Sequence, residues 1–241
     1  MKGNGKFTIA AVGDLHVKER DAGRFHDFFA ELSEKSNTIA LCGDLTNLGL
    51  PAEAECLAKE IQSATVPIVA VLGNHDHQSG ETAVVNQILR EAGVNLLENG
   101  PYETDDVGFA GTKGFAGGFG RYTISPFGEN VLKIFVDEAM REALELENSL
   151  HEINAKRIAV VLHYSPVPHT LRGEATELYP FLGCSRFEET IDRFDVSAIF
   201  HGHAHHGSPE GKTMKGTPVY NCGYDLLNAI HLDHPYVLVD I

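Results

Sequence analysis

The hydrophobic positions of this chain are grouped into short unbroken runs that end abruptly in polar residues. Five runs of apolar and β-branched residues each stop at Asp, Asn or His side chains. Unbroken apolar runs of this length are typical of strands that are buried on both faces. The predicted strands, with the polar residues that follow them, occupy residues 7–16, 38–45, 67–76, 157–165 and 197–205.

Apolar residues with helical spacing lie between and after these runs. They predict helices over residues 22–35, 51–63, 82–92 and 131–154. The alternation of strands and helices predicts an α/β protein with a mainly parallel sheet covered by helices. In such sheets ligands bind beyond the carboxyl ends of the strands, and all five polar clusters fall there.

Three further segments do not fit this alternation. Residues 112–121 are rich in glycine without a regular period, and they predict a loop. Residues 217–222 and 236–241 have the pattern of short closing strands, which we assign to a second sheet. The predicted organisation is a single domain over residues 1–241.

The charge balance restricts the partners that the protein can have. Lys and Arg number 19 and Asp and Glu number 34, which gives a net charge of −15 at pH 7. Such a chain repels nucleic-acid phosphates over most of its surface, so stable nucleic-acid binding is not expected. A small phosphorylated molecule is compatible with this charge, because bound metal ions would dominate the field locally.

The sequence carries no signal for export or for insertion into a membrane. It starts with polar residues, and no apolar stretch reaches the length of about 20 residues that crosses a bilayer. The four cysteines show no C-x-x-C spacing and are expected to be reduced thiols. These features predict a cytoplasmic protein without a membrane partner, and the oligomeric state stays open.

The residues that end the five runs are of the types that bind transition-metal ions. Carboxylate, amide and imidazole donors together suit Mn, Fe or Zn. Seven such donors exceed the needs of one ion and fit two divalent ions that share a bridging carboxylate. A glycine, which lets the backbone approach a bound ion closely, stands directly before four of them. The candidate ligands are Asp14, His16, Asp44, Asn74, His163, His203 and His205.

In chain order these residues form the motifs D-x-H, G-D, G-N-H-D, a single His and G-H-x-H, over residues 7–222. This set resembles the calcineurin-like metallophosphoesterase superfamily. The segment GDLTNLGLPAEAE and the ending GHAH are most similar to its small phosphodiesterase branch, which includes the class III cyclic-nucleotide phosphodiesterases. The resemblance implies a four-layer αββα sandwich and a metal-dependent phosphoester hydrolase.

The resemblance also implies a role for each motif residue. Water activated between two divalent ions would attack phosphorus. His75 would be the catalytic residue that donates to a phosphoryl oxygen or protonates the leaving group. The expected substrate is a small-molecule phosphoester or a nucleotide, with diesters preferred. One ion would be held by Asp14, His16, Asp44 and His205, and the second by Asp44, Asn74, His163 and His203.

The chain departs from the protein serine/threonine phosphatases of the superfamily just after Asp44. Those proteins carry two residues and then an Asp-Arg pair, whereas here Leu45 and Thr46 are followed by Asn47 and Leu48. The acid that would partner the catalytic histidine and the arginine that would bind phosphate are therefore missing. A protein phosphatase is not expected, whereas a phosphomonoesterase, a nuclease and a non-catalytic scaffold of the same fold are alternatives.

Three candidate substrate-binding residues have two interpretations each. Arg172 and His169 could reach a substrate phosphate from the loop after His163, or they could belong to a solvated loop. Asn47 could orient His75 or contact substrate, or it could only shape a turn.

Four further polar residues lie beside the motifs. Asp76 could orient a ligand or cap a helix, and the sequence favours neither. His77, His201 and His206 lie outside the metal-binding motifs and are expected to support the ligands rather than to bind metal.

Overall fold

β-Strands form most of the interior of the molecule. A computed structural model describes residues 5–230 and 234–241 of the chain. The strands in this part are β1 (Thr8–Val12), β2 (Thr38–Cys42), β3 (Ile68–Val71), β4 (Val94–Leu96), β5 (Tyr102–Thr104), β6 (Val107–Thr112), β7 (Arg157–Leu162), β8 (Ala198–His201), β9 (Glu210–Lys212), β10 (Pro218–Asn221) and β11 (Val237–Asp240).

The strands form two sheets with parallel centres and antiparallel edges. The first sheet has the order β11-β1-β2-β3-β4, in which only β11 runs antiparallel to its neighbour. The second has the order β5-β6-β7-β8-β10-β9, with β5 and β9 antiparallel at its edges. The helices are α1 (His26–Lys35), α2 (Pro51–Glu60), α3 (Thr82–Glu91), α4 (Asn130–Glu152), α5 (Tyr179–Leu182), α6 (Ser185–Ile191) and α7 (Tyr224–Ala229).

Both faces of each sheet are buried, which explains the unbroken apolar runs. One cluster of buried side chains lies between the sheets and includes Ala11 of β1 and Phe109 of β6. A second cluster packs the first sheet against α1, α2 and α3 and includes Leu57. A third packs the second sheet against α4 and α6 and includes Leu146. The order helix, sheet, sheet, helix confirms the predicted α/β sandwich of the αββα type.

The beginning of α1 differs from the prediction, which starts that helix at residue 22. Gly23 has a φ of 82°, outside the helical region. The backbone N–H groups of Gly23 and Phe25 donate to the two carboxylate oxygens of Glu60, at 2.6 and 2.8 Å. This contact from the end of α2 satisfies donors ahead of the helix, so that α1 starts at His26.

The assignment of residues 236–241 to the second sheet is wrong. β11 pairs with β1 in the first sheet, where Thr8 lies opposite Asp240. The Thr8 hydroxyl donates to the Asp240 carboxylate at 2.7 Å, and Lys6 forms an ion pair with it at 3.0 Å. An apolar strand pattern alone does not indicate which sheet edge the strand completes, and these edge contacts make that choice here. The other predicted closing strand is confirmed as β10 of the second sheet.

The hydrophobic pattern does not predict β6, whose two glycines and alanine lower the strand signal. A side chain at Gly111 would meet the Val161 carbonyl oxygen at 2.6 Å and Val71 of the opposite sheet at 2.8 Å. Glycine is therefore needed for close packing of the two sheets. Thr112 ends this strand instead of opening the predicted loop. Within the described ranges no helix is long and apolar enough to cross a membrane.

Candidate metal centre

The polar residues that follow β1, β2, β3, β7 and β8 converge at the edge where the carboxyl ends of the two sheets meet. They form two groups that share Asp44. In each group, one donor atom of every member lies within 4.8 Å of the others. The first group is Asp14, His16, Asp44 and His205, and the second is Asp44, His163 and His203.

The backbone at this edge adopts a conformation that side chains normally avoid. Of the five non-glycine residues with positive φ in the described chain, four are candidate ligands. Such left-handed conformations are uncommon outside glycine and are concentrated at functional sites. The four are Asp14 (56°), His16 (45°), Asp44 (49°) and His203 (69°). The turns after the strands are therefore shaped by the position of the donor atoms rather than by local preference.

Two of the glycines that precede candidate ligands are required by close contacts. A Cβ atom on Gly43 would lie 2.5 Å from Nδ1 of His163. A Cβ on Gly73 would overlap the carboxylate and the backbone nitrogen of Asp44. A larger residue at either position would push the ligands apart, which explains why glycine precedes them in the sequence.

Asn74 joins the second group through its amide oxygen, which lies 3.0 Å from Nε2 of His163. The same Nε2 is 3.3 Å from Oδ1 of Asp44. The other ring nitrogen of His163 lies 3.0 Å from the Cys42 carbonyl oxygen, which can only accept a hydrogen bond. In a neutral imidazole the proton is therefore on Nδ1, and the Nε2 lone pair faces Asp44 and Asn74.

His203 has the opposite arrangement. Its Nε2 lies 3.3 Å from the carbonyl oxygen of Phe181, so Nε2–H is the donor and Nδ1 keeps the lone pair. Its backbone N–H donates to both carboxylate oxygens of Asp14, at 3.1 and 3.0 Å. Carbonyl groups that hold the far nitrogen of an imidazole in this way are a regular feature of metal sites.

His16 provides the test of whether a cation fits these residues. Both of its ring nitrogens are buried and have no hydrogen-bond partner within the described residues. A buried polar group without a partner costs about 1–3 kcal/mol. Nε2 of His16 lies 3.8 Å from Oδ2 of Asp44, too far for a hydrogen bond but suitable for ligands of one ion. A divalent cation between them would bind Nε2 of His16 and the Asp44 carboxylate, so these residues fit the predicted centre.

The electrostatics of the metal-free protein favour the same conclusion. Burial, together with the nearby carboxylates of Asp14 and Asp76, raises the pKa of Asp44 to about 9. Burial opposes ionisation of Asp14 as well, but a hydrogen bond with His205 and the proximity of His163 lower its pKa below the ordinary value. Burial lowers the pKa of His16 to about 4. The His16 imidazole is therefore neutral at pH 7, and Asp44 keeps its proton beside Asp14 unless a cation lies between the two side chains.

Uptake of divalent ions at pH 7 should release protons, because Asp44 must lose its proton to become a ligand. The folded, metal-free pKa of about 9 exceeds the ordinary value of 3.8. The Asp44 carboxyl group therefore contributes its full stabilisation of the folded protein below pH 3.8, and this stabilisation is lost as the pH rises toward about 9. Titration calorimetry with Mn²⁺ in buffers of different ionisation enthalpy measures the release. An observed enthalpy that is identical in all buffers would contradict it.

His75 lies beside the two groups without belonging to either. Its Nδ1 is 2.7 Å from the carbonyl oxygen of Asn47, so Nδ1–H donates and Nε2 faces the centre. That Nε2 is 3.9 Å from Oδ2 of Asp44, and 39% of the His75 side chain is exposed. The backbone N–H of His75 donates to Oδ1 of Asp44 at 2.8 Å. The imidazole is thus oriented by the chain and accessible to a substrate.

Asp76 connects the turn after β2 to the turn after β3. Its carboxylate is fully buried. It accepts from the N–H groups of Leu45 (3.1 Å), Thr46 (2.8 Å) and Gly73 (2.8 Å), and from the Thr46 hydroxyl (2.6 Å). Of the two interpretations that the sequence allows, the contacts correspond to the residue that orients ligands, because they fix the turns that carry Asp44 and Asn74.

Replacement of Asp76 by asparagine should lower the free energy of unfolding by about 1–3 kcal/mol, because an amide nitrogen would face buried donors. Metal affinity should fall about 10–100-fold, as is typical when a partner of the ligands is lost. Thermal unfolding and Mn²⁺ titration measure the two effects. Asp137→Asn on the exposed face of α4 is the matched control. Unchanged stability and metal affinity in Asp76→Asn would show that the hydrogen bonds accepted by the Asp76 carboxylate are dispensable.

The three predicted substrate-binding residues are not among those that line the cavity at the centre. Asn47 meets His75 through its backbone carbonyl, so the contact does not depend on its side chain. Arg172 is exposed. His169 is also exposed and lies 3.3 Å from the Lys212 carbonyl oxygen. A substrate role for these side chains stays a prediction.

The three histidines beside the motifs belong to neither group. His201 is fully buried, with Nε2 at 2.8 Å from the Thr170 hydroxyl and Nδ1 at 2.7 Å from the Gly202 carbonyl oxygen. His77 lies 3.3 Å from the Thr82 hydroxyl. His206 lines the cavity without joining the ligand groups.

Sequence reasoning does not find four further residues around the centre. The ring of Tyr164 lies 4.3 Å from the ring of His203, and burial raises the pKa of its phenol to about 12. Lys113 and Glu142 form a buried ion pair at 3.2 Å. The Lys113 carbonyl oxygen accepts from the N–H groups of His163 and Tyr164, both at 3.0 Å. Glu174 lines the cavity. Only Tyr164, directly after a ligand, has a position in the sequence that could have drawn attention to it.

Comparison with known proteins decides the family. The model of the calcineurin-like phosphoesterase family matches residues 7–207, which include all seven candidate ligands and His75. The chain belongs to the calcineurin-like phosphoesterase family. Its members are metal-dependent phosphoester hydrolases with a dinuclear metal centre, so the predicted family and enzyme class are confirmed.

Two solved structures are similar in fold to this chain. One is 14% identical with a TM-score of 0.64, and the match covers 98% of this chain and 99% of the other. The crystal structure of TT1561 of Thermus thermophilus is 15% identical with a TM-score of 0.55, and the match covers 92% of each chain. At these identities the likeness shows the fold alone. No curated protein sequence matches the chain.

Proposed function

We propose that this protein hydrolyses small-molecule phosphodiesters with two divalent ions of the Mn, Fe or Zn type. The first ion would be held by Asp14, His16, Asp44 and His205, and the second by Asp44, Asn74, His163 and His203. The observation that carries the proposal is the shared position of Asp44 in two ligand groups, one of which contains the unpartnered imidazole of His16. When bound, such ions provide Lewis acidity that activates water and neutralises charge on the phosphoryl oxygens.

His75 supplies the proton in this proposal. Its Nε2 faces the centre because the Asn47 carbonyl oxygen holds Nδ1–H at 2.7 Å. In the reaction the oxygen of water forms a bond to phosphorus, and the bond from phosphorus to one alcohol oxygen breaks. The electron pair of that bond stays on the alcohol oxygen, which takes a proton from His75. Water loses one proton, which restores His75, and the products are a phosphomonoester and an alcohol.

The surroundings of the centre favour a diester over a monoester. Among the described residues that line the cavity, none is Lys or Arg, and Glu174 adds negative charge. A diester carries one negative charge, whereas a monoester dianion carries two. A monoester dianion would be held less well by a cavity with an acidic wall.

Turnover of bis(p-nitrophenyl) phosphate by the Mn²⁺-loaded protein tests the proposal, with p-nitrophenyl phosphate as the competing monoester. We expect release of p-nitrophenolate from the diester that disappears on chelation and returns with metal. A higher kcat/KM for the monoester would replace the proposal with a phosphomonoesterase. Absence of turnover on both esters and on a panel of nucleotides, with metal bound, would favour a non-catalytic scaffold.

A further inference from the structure

Glu174 is an acidic residue in the substrate cavity that has no place in the metal centre. The cavity has a volume of about 250 Å³, and its lining includes His75, His203, His205, Glu174 and Leu182. Glu174 belongs to neither group of candidate ligands. It is also 99 residues away in the chain from His75, so its presence in the same cavity is a result of the fold.

The position of this carboxylate is fixed by the backbone. Its Oε1 accepts from the N–H of His206 at 2.7 Å. The preceding residue, Gly173, has a φ of 118°, and a side chain there would overlap the His206 carbonyl oxygen. The loop that carries Glu174 is therefore held against the turn that carries His205. The carboxylate is half-buried and forms no ion pair with any Lys or Arg of the described chain.

The charge pattern of the cavity points to the complementary group on the substrate. The two divalent ions would face the phosphate, and Glu174, which belongs to neither ligand group, adds a negative charge to the wall of the same cavity. In the part of the chain that the structure describes, no Lys or Arg side chain lines the cavity. The whole chain carries a net charge of −15. A second anionic group on the substrate would be repelled, whereas an ammonium group would be attracted. Leu182 provides apolar surface for the carbon atoms around such a group.

We propose that Glu174 selects phosphodiesters in which one alcohol carries an ammonium group. This inference rests on the proposed diester hydrolysis and adds the class of alcohol. The role assigned to Glu174 is to bind that cation, while the reaction at phosphorus remains as described above.

A pair of substrates of equal shape tests the proposal. p-Nitrophenyl phosphorylcholine carries a trimethylammonium group, and p-nitrophenyl 3,3-dimethylbutyl phosphate carries its neutral isostere. We expect the wild-type protein to prefer the cationic ester by about fivefold in kcat/KM, because an interaction with a half-exposed carboxylate is modest in size. The preference should decrease at high salt, since ions screen it. Calorimetric binding of phosphocholine and of 3,3-dimethylbutyl phosphate should show the same order.

The variant Glu174→Gln should lower kcat/KM for the cationic ester to about that for the neutral ester, because the amide keeps the shape without the charge. Glu177→Gln, three residues further on and exposed, is the matched control and should keep the preference. Equal rates on the two esters in the wild-type protein would overturn the proposal and leave diester hydrolysis intact. Absence of turnover on both esters and on bis(p-nitrophenyl) phosphate would instead remove diester hydrolysis itself. If Glu174→Gln fails to fold, the salt dependence of the wild-type preference decides.

Discussion

Asp44→Asn should lose more than about 100-fold in turnover of bis(p-nitrophenyl) phosphate and should bind fewer metal ions than the wild-type protein. Loss of a residue that only supports the ligands costs about 10–100-fold, so the loss of a shared ligand should exceed that range. Asp44 is the one residue common to both ligand groups of the described chain. Asparagine keeps its shape but removes the charge that would be shared by two cations. Turnover and metal content by mass spectrometry measure the two effects.

Asn47→Ala is the comparison for this variant. The Asn47 contact with His75 uses the backbone carbonyl oxygen, which alanine retains. This variant should therefore keep its metal content and lose less activity than Asp44→Asn. Equal activity in the two variants would contradict the bridging role of Asp44. A folded Asp44→Asn protein with two tightly bound ions would contradict it independently of any rate.

His75→Asn should keep both metal ions and lose about 10²–10⁴-fold in turnover, the range typical for removal of a general acid. The side chain of His75 lies outside both ligand groups, so the ions do not depend on it. The loss should be larger for a diester of a simple alkyl alcohol than for bis(p-nitrophenyl) phosphate. The reason is that a poor leaving group needs the proton more than p-nitrophenolate does.

His77→Asn is the matched control, since the same substitution two residues later alters a ring that contacts the Thr82 hydroxyl at 3.3 Å instead of facing the cavity. It should leave turnover within about twofold of wild type, as surface substitutions usually do. If His75→Asn loses metal in proportion to activity, His75 is a ligand and the proposed proton transfer is wrong. An equal loss for both leaving groups would restrict His75 to contact with a phosphoryl oxygen.

The architecture and the convergence of the candidate ligands at one edge could be predicted because both follow from local rules. Strands buried on both faces require unbroken apolar runs, and parallel strands bring their carboxyl ends to one edge. The metal chemistry restricts the donor types, and glycines such as Gly73 precede the donors because a side chain there would overlap Asp44. The candidate ligands lie in two groups that share Asp44, and their roles as metal ligands stay a prediction.

The remaining features depend on contacts between residues that are far apart in the sequence. Glu174 lies in a loop without a regular period, and its approach to the cavity depends on the contact of Gly173 with His206. The position of β11 at the edge of the first sheet depends on contacts with Thr8 and Lys6, which lie at the opposite end of the chain. The pattern of β6 is weak because close packing of the two sheets requires glycine at position 111. None of these contacts leaves a periodic signal in the sequence.

β1 and the residues that follow it contact residues near the carboxyl-terminal end of the chain. Asp14, just after β1, accepts hydrogen bonds from the backbone of His203, 189 residues later, and Thr8 pairs with Asp240. During synthesis on the ribosome, the amino-terminal half of the centre therefore exists before the imidazoles that complete it have been translated. A complete set of candidate ligands is therefore available only after His203 and His205 have been translated.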